Sequence, residues 1–371
     1  MKRKKMMALM LCAVLTVSSL AGCGSKEKEP ETPAAASQEG QKEEEQKEEG
    51  QEPVADAPAG EPVTLVYAIS GTPGTPQAEG MYAFEEKLEE ISGGLMQVDC
   101  YDSSTLFGQN DELQALIGGD IDLGQTSAAW LATDASPWMS MFSMAYLYNS
   151  YEHMRAVTDS DIMKEAFSRV SDEQGILPLG GWFIGSRCIT LNEERKITCR
   201  ADMQGVLLRM ANTEGWIFVG DALGGSTVPL AFAEIYLGLQ TGTVDAQENG
   251  LPSMVSNKFY EVQKSMTMTN HVVDCIWPAI NMETWNSLSD QQKAWVQEAT
   301  EYSQQVGDEL ALKLNEEAVQ VVKDAGLTVY DLTEEEVKKY ADEVRQYYLD
   351  AKDVSGSWDM ELYDQVVNFA Y

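Results

Sequence analysis

Arg209 is the residue in this sequence whose surroundings ask most plainly for a chemical partner. It stands inside Val206-Leu207-Leu208-Arg209-Met210, an apolar run that reads as a strand. A guanidinium there is costly to desolvate unless it is paired. Its best partner is a carboxylate, held through two parallel hydrogen bonds. Either a structural acid such as Asp202 or Asp221 or a bound anion would supply it. Arg187, in Gly185-Ser186-Arg187-Cys188, poses the same choice with weaker apolar flanks.

Material for catalysis is scarce. Only two histidines occur, His153 and His271. His153 lies in a polar helical stretch that predicts a surface position, and His271 has no convincing partner. No Ser sits in a G-x-S-x-G elbow, and HExxH, CxxC and EF-hand patterns are absent. Asp159-Ser160-Asp161 lacks the Gly and distal Glu of a calcium loop. Gly71-Thr72-Pro73-Gly74 is a turn and not a phosphate cradle, since no Lys-Ser/Thr follows. No catalytic residue, metal or cofactor is expected. Cys188 and Cys199 flank Asn192-Glu193-Glu194-Arg195 symmetrically, so a hairpin would let them face each other.

Charge narrows the partners further. Among 371 residues, 60 are acidic and 26 are Lys or Arg, for a net −34. Nucleic acid needs clustered basic residues and is excluded as a partner. At 44% hydrophobic, the chain can bury a core.

The elements that must position Arg209 follow an export signal. Four positive charges in MKRKK precede an apolar run from Met6 to Leu20, too short to span a bilayer. That signal peptide, residues 1–22, ends in Leu20-Ala21-Gly22 before Cys23, which resembles the lipobox of bacterial lipoproteins and makes Cys23 the lipidated residue. From 23 to 61 the chain is nearly all Glu, Lys, Gln, Pro, Ala and Gly, an acidic tether that cannot bury enough to fold. Residues 62–371 still carry −30.

Beyond the tether, Val63–Ile69 reads as a buried strand. A helix follows from Pro76, with Met81, Phe84, Leu88 and Ile91 at helical spacing, to Gly93-Gly94. Then come a strand over Leu95–Tyr101, a helix through Glu112–Leu116 and a short strand at Ile121-Asp122-Leu123. Such alternation predicts an α/β fold with a mostly parallel sheet. Leu116–Asp122 has a counterpart in Leu239–Asp245, which suggests two lobes built alike. Ligands in open α/β sheets sit outside the carboxyl ends of strands. That rule points to Gln125-Thr126-Ser127 and Gln247-Glu248-Asn249 facing one cleft. Ser289-Asp290-Gln291-Gln292 forms a capping box opening a helix of about 35 residues, or ~50 Å, long enough to cross between lobes. A second box at Thr333 opens a helix through Tyr348.

Several stretches together resemble the solute-binding proteins of TRAP (tripartite ATP-independent periplasmic) transporters, the DctP family. They are Gly185-Ser186-Arg187, Ala201–Gly205 leading into Leu208–Asn212, Val228–Gln240, Val244–Asn249, Lys258–Lys264 and Thr269-Asn270-His271. Weaker correspondence, including Leu106-Phe107-Gly108 and Gly119–Asp122, extends it over most of residues 62–350. The resemblance implies a two-lobed periplasmic-binding-protein fold with a long hinge-spanning helix. Residues 62–184 with about 275–314 would form lobe I, and 185–274 with about 315–371 lobe II. It makes Arg209 the salt-bridge partner of a ligand carboxylate, with Asn249, Arg187, Asn212 and Phe232 in the same pocket. Ser127 and Thr75 stand where sialic-acid binders carry an acidic residue and an asparagine. The implied protein is a monomeric, non-enzymatic lipoprotein on the outer face of the cytoplasmic membrane or in the periplasm. It would hand an organic acid, such as a sugar acid or uronate, to the small and large membrane subunits. Dicarboxylates and keto acids remain alternatives at this point, as do an ABC-type binding protein and a glycan-active surface enzyme.

Overall fold

Ten strands, interleaved with helices, build one continuous mixed sheet in the computed structural model, which describes residues 61–133 and 135–371. The signal peptide, Cys23 and all of the tether except Glu61 lie outside the described residues. The strands are β1 (Val63–Ala68), β2 (Met96–Tyr101), β3 (Leu123–Thr126), β4 (Ile176–Pro178) and β5 (Trp182–Leu191), followed by β6 (Leu207–Met210), β7 (Ser226–Pro229), β8 (Ala246–Gly250), β9 (Ser265–Asn281) and β10 (Thr328–Tyr330). The main order is β2-β1-β3-β9-β5-β8-β6-β7, with β4 and β10 pairing on β9.

Two parallel modules flank a pair of crossing strands. β1 pairs in parallel with β2 and β3, and β6 does the same with β7 and β8. Between them, β9 runs antiparallel to β5 along most of its length and to β3 and β4 at its end. This is a two-lobed α/β fold whose sheet passes from one half to the other through β5 and β9.

The internal repeat is realised atom for atom at its turns. The helices Gln109–Gly118 and Ile235–Thr241 end on left-handed Gly119 (φ 76°) and Gly242 (φ 73°), a conformation glycine adopts without steric cost. Just beyond, Asp122 Oδ2 accepts from Val66 N at 2.8 Å, and Asp245 Oδ2 accepts from Leu207 N at 3.1 Å. Each aspartate ties the turn to the first strand of its own module. This explains one correction: the strand expected at Ile121-Asp122-Leu123 begins only at Leu123, because Asp122 is spent on the turn.

The helix Pro76–Ser92 buries Met81, Phe84 and Leu88 against Leu65, Tyr67 and Ile69 of the sheet. The long helix spans Asp290–Asp324, 35 residues, with the Ser289 capping box at its start. Such a cap stabilises a helix end by about 0.5–2 kcal/mol. Near its start, Val296 and Ala299 join the Leu65–Tyr67 core; near its end, Ala318 and Val322 join a separate core with Leu251, Phe259 and Met266. One rigid element therefore braces both modules. The Thr333 box opens the helix Glu334–Asp350.

One further expectation fails for a physical reason, and one open question is answered. His153 is not on the surface: its helix turns it inward, where Nε2 meets Val366 O at 2.9 Å and the ring stacks on Tyr371. Cys188 and Cys199 are both free, since β5 pairs with β8 and β9 and no hairpin partner strand follows it. Among the described residues no helix is long and apolar enough to cross a membrane.

Candidate functional site

Period-two alternation decides where Arg209 points. In β6, Leu208 and Met210 enter the apolar core, so Arg209 between them faces the opposite side. There it lines a narrow cavity formed where the carboxyl ends of both modules meet. The walls include Ser70, Gln77, Gln109, Gln125 and Trp130 from the β1–β3 side. Arg187, Trp216, Phe232, Asn249 and Ser253 face them.

The two arginines of this cavity are in opposite electrostatic states. Arg187, on β5, grips Glu248 through Nε and Nη2, the latter at 2.6 Å from Oε1, and bonds Asp274 through Nη1. A further Nη2 contact reaches Asn249 Oδ1 at 3.3 Å, and the guanidinium lies 4.4 Å from the centre of the Trp216 ring. His271 Nε2 closes on Glu248 from the other side at 3.1 Å, with Nδ1 on Thr269 Oγ1 at 2.7 Å. So His271, for which the sequence offered no partner, belongs to this buried cluster. Burial alone would raise the Glu248 carboxyl, but Arg187 and His271 hold it down at about 2. Glu248 is thus ionised at neutral pH and balances Arg187.

Arg209 has no such partner. Only 2% exposed, it donates from Nε and Nη2 to Leu230 O at 3.0 and 2.7 Å, and from Nη2 to Gln109 Oε1 at 3.4 Å. All three contacts are to neutral oxygens. Asp202 instead accepts from Thr198 and Cys199, and Asp221 from Thr227, so neither structural candidate reaches it. Among the described residues Arg209 forms no ion pair. Burial pulls its guanidinium down to about 9, a fall that attraction from the more distant Glu248 only partly offsets. The group is still a cation at neutral pH.

Other polar atoms around the cavity are also unsatisfied. Gln77 Oε1, Gln125 Oε1, Trp130 Nε1 and Ser253 Oγ are buried without a hydrogen-bond partner. Such groups cost roughly 1–3 kcal/mol each when left dry. Their grouping around one cavity marks a place built for a polar guest.

Of the residues singled out from the sequence, Arg209, Arg187, Asn249 and Phe232 converge here. Asn249 donates from Nδ2 to Gln247 Oε1 at 2.7 Å. Three others lie elsewhere. Asn212 is exposed and lines an adjoining open cleft of about 880 Å³. Ser127 lines a separate small cavity beyond Trp216, and Thr75 is the residue before the helix Pro76–Ser92, donating to Thr72 O at 2.6 Å. Ser70, Gln77, Gln109, Trp130, Trp216 and Ser253 were not foreseen. Ser70 was within reach, because it directly follows the first strand, where the strand-end rule places ligands; the rest carry no sequence signal.

Comparison with known proteins agrees with this architecture. Residues 67–353 match the family described as bacterial extracellular solute-binding protein, family 7 (DctP). The C4-dicarboxylate-binding periplasmic protein DctP of Rhodobacter capsulatus is 30% identical over 277 residues, 74% of this chain and 82% of that protein. The sialic acid-binding periplasmic protein SiaP of Vibrio cholerae is 31% identical over 249 residues, 66% of this chain and 74% of that one. A crystal structure of a TRAP periplasmic solute-binding protein from Roseobacter denitrificans, with bound 3-deoxy-D-manno-oct-2-ulosonic acid, superposes with a TM-score of 0.78 at 31% identity, covering 83% of this chain and 99% of that one. With the family matched across both modules and the cleft between them, this chain belongs to the DctP family of TRAP periplasmic solute-binding proteins.

Proposed function

We propose that this chain is an extracytoplasmic lipoprotein that captures a polyhydroxylated monocarboxylate, of the sugar-acid or uronate class, and delivers it to TRAP membrane subunits. It acts as a binding protein and not as an enzyme. The observation that carries the reading is Arg209: a buried cation with neutral oxygens as its only partners, in the cleft between the modules. A ligand carboxylate supplies the missing counter-charge, and its desolvation is offset by two charge-assisted hydrogen bonds.

The number of carboxylates follows from the charges. A second carboxylate needs a second uncommitted cation, and Arg187 is already bound to Glu248 and Asp274. Hydroxyl groups, which both donate and accept, match the unpartnered amide oxygens of Gln77 and Gln125 and the indole N–H of Trp130. The Roseobacter relative holds a guest of this kind, one carboxylate on a hydroxylated carbon chain. Dicarboxylates are the second reading, favoured by the Rhodobacter relative's name.

We place the lobe junctions at 184/185, 274/275 and about 314/315. Support comes from Gly185, where β5 breaks register against β9 and φ reaches 100°. Attachment through Cys23 and the tether rests on the sequence alone, as does a monomeric state. A thermal-shift screen over uronates, aldonates, keto acids and dicarboxylates, followed by calorimetry, tests the ligand class. A hydroxylated monocarboxylate should bind best; tight binding of succinate in preference to every monocarboxylate would overturn it.

A further inference from the structure

We propose that Gln109 is the latch of this cleft, closing Arg209 off from solvent and ceding one of its hydrogens to the ligand. Gln109 opens the helix Gln109–Gly118 on the β1–β3 side. Its Oε1 reaches across to the other module, accepting from Phe232 N at 2.7 Å and Arg209 Nη2 at 3.4 Å. Gln109 and Trp130 line both the buried cavity and the open outer cleft, so the two side chains form the partition between them.

The hydrogen count on Arg209 explains why the residue is a neutral amide. Nε–H and one Nη2 hydrogen are spent on Leu230 O, and the other Nη2 hydrogen faces Gln109; neither Nη1 hydrogen has a partner among the described residues. A carboxylate making two parallel contacts must therefore use Nη1 and the Nη2 hydrogen that Gln109 holds. At 3.4 Å that contact is weak, whereas the Phe232 bond at 2.7 Å is a full one. The ligand displaces only the weak contact, and the latch stays fastened to Phe232. A carboxylate in place of this amide would pair with Arg209 permanently and compete with any anionic ligand. Gln109 is thus both a closure contact and a condition for anion binding, the second role resting on the carboxylate-anchor reading given above.

Labelling by phenylglyoxal, which modifies accessible arginines, tests the latch on the full folded chain without knowledge of the ligand. The rate at Arg209 would be read by peptide mass spectrometry relative to Arg195, whose side chain is 38% exposed. Gln109→Ala should speed Arg209 labelling about tenfold, the change expected for losing roughly one such contact. Gln109→Asn keeps the amide but shortens its reach and should behave like Gln109→Ala, which guards against a folding defect in either variant. Gln109→Glu should slow labelling and remove the thermal shift produced by carboxylates. An unchanged Arg209 to Arg195 ratio in both shortened variants overturns the latch. Arg209→Ala, screened against the same carboxylates, separates the two ideas: if it binds normally the anchor reading fails, while the labelling result still decides the latch.

Discussion

Arg187 and Arg209 line the same cavity, yet Arg187 is bonded to Glu248 and Asp274 while Arg209 touches only uncharged oxygens. One is a strut and the other is an open valence. Mutation should separate them cleanly. Arg209→Ala should weaken carboxylate binding by roughly thirtyfold to several thousandfold, the ~2–5 kcal/mol expected for removing one partner of a buried charge pair. Arg209→Lys should recover only part, because an ammonium lacks the planar fork. Calorimetric titration of folded variants decides the matter, and Arg209→Ala binding within about threefold of wild type would sink the assignment.

Arg187→Ala should instead act on the fold. It leaves Glu248 and Asp274 buried without their cation, a loss of about 3–5 kcal/mol. Denaturant unfolding should show this loss, with no comparable loss in Arg209→Ala, whose guanidinium pays desolvation without a carboxylate in return.

Glu112 gives the stability a pH dependence. Burial lifts its carboxyl to about 8, against the smaller opposing effect of hydrogen bonds from Gln125 N and Ser70. In the unfolded chain the group titrates near ~4.3. Between those values the folded protein holds a proton that the unfolded chain has released, so stability falls as pH rises through this window. Glu112→Gln has nothing to ionise. Relative to wild type it should gain on the order of 5 kcal/mol by pH 9 and nothing at pH 4. Parallel unfolding curves across that range would show Glu112 to be unshifted.

Closure should be measurable as a change in size. A site shared by two modules gains all its contacts only when both reach the ligand. Small-angle scattering of Gln109→Ala, whose cleft lacks the bond to Phe232, should give a smaller radius of gyration with saturating ligand than without it, and equal radii would argue for a preformed site.

The anchor is tested in cells. Cys23→Ser should release the protein from membranes, because the lipobox reading makes the lipid on Cys23 the anchor. Retention of the variant at wild-type levels points to another attachment.

Local signals in the chain sufficed for the elements. Capping boxes at Ser289 and Thr333, glycines at 119 and 242, and apolar spacing in Pro76–Ser92 are all read within a few residues, so the long helix and the paired modules were legible. Arg209 was legible as well, because a charge in a buried strand is anomalous wherever that strand sits. What that charge lacks could not be read there: whether Asp202, Asp221 or nothing faces it depends on contacts across the fold. The same holds for Arg187, whose partners Glu248 and Asp274 lie 61 and 87 residues away. Gln109 meets Arg209 across 100 residues and Phe232 across 123. Helical and strand periodicity describe a segment against an unspecified interior, but the pairing of one buried polar group with another is decided only when distant strand ends are brought to one cleft.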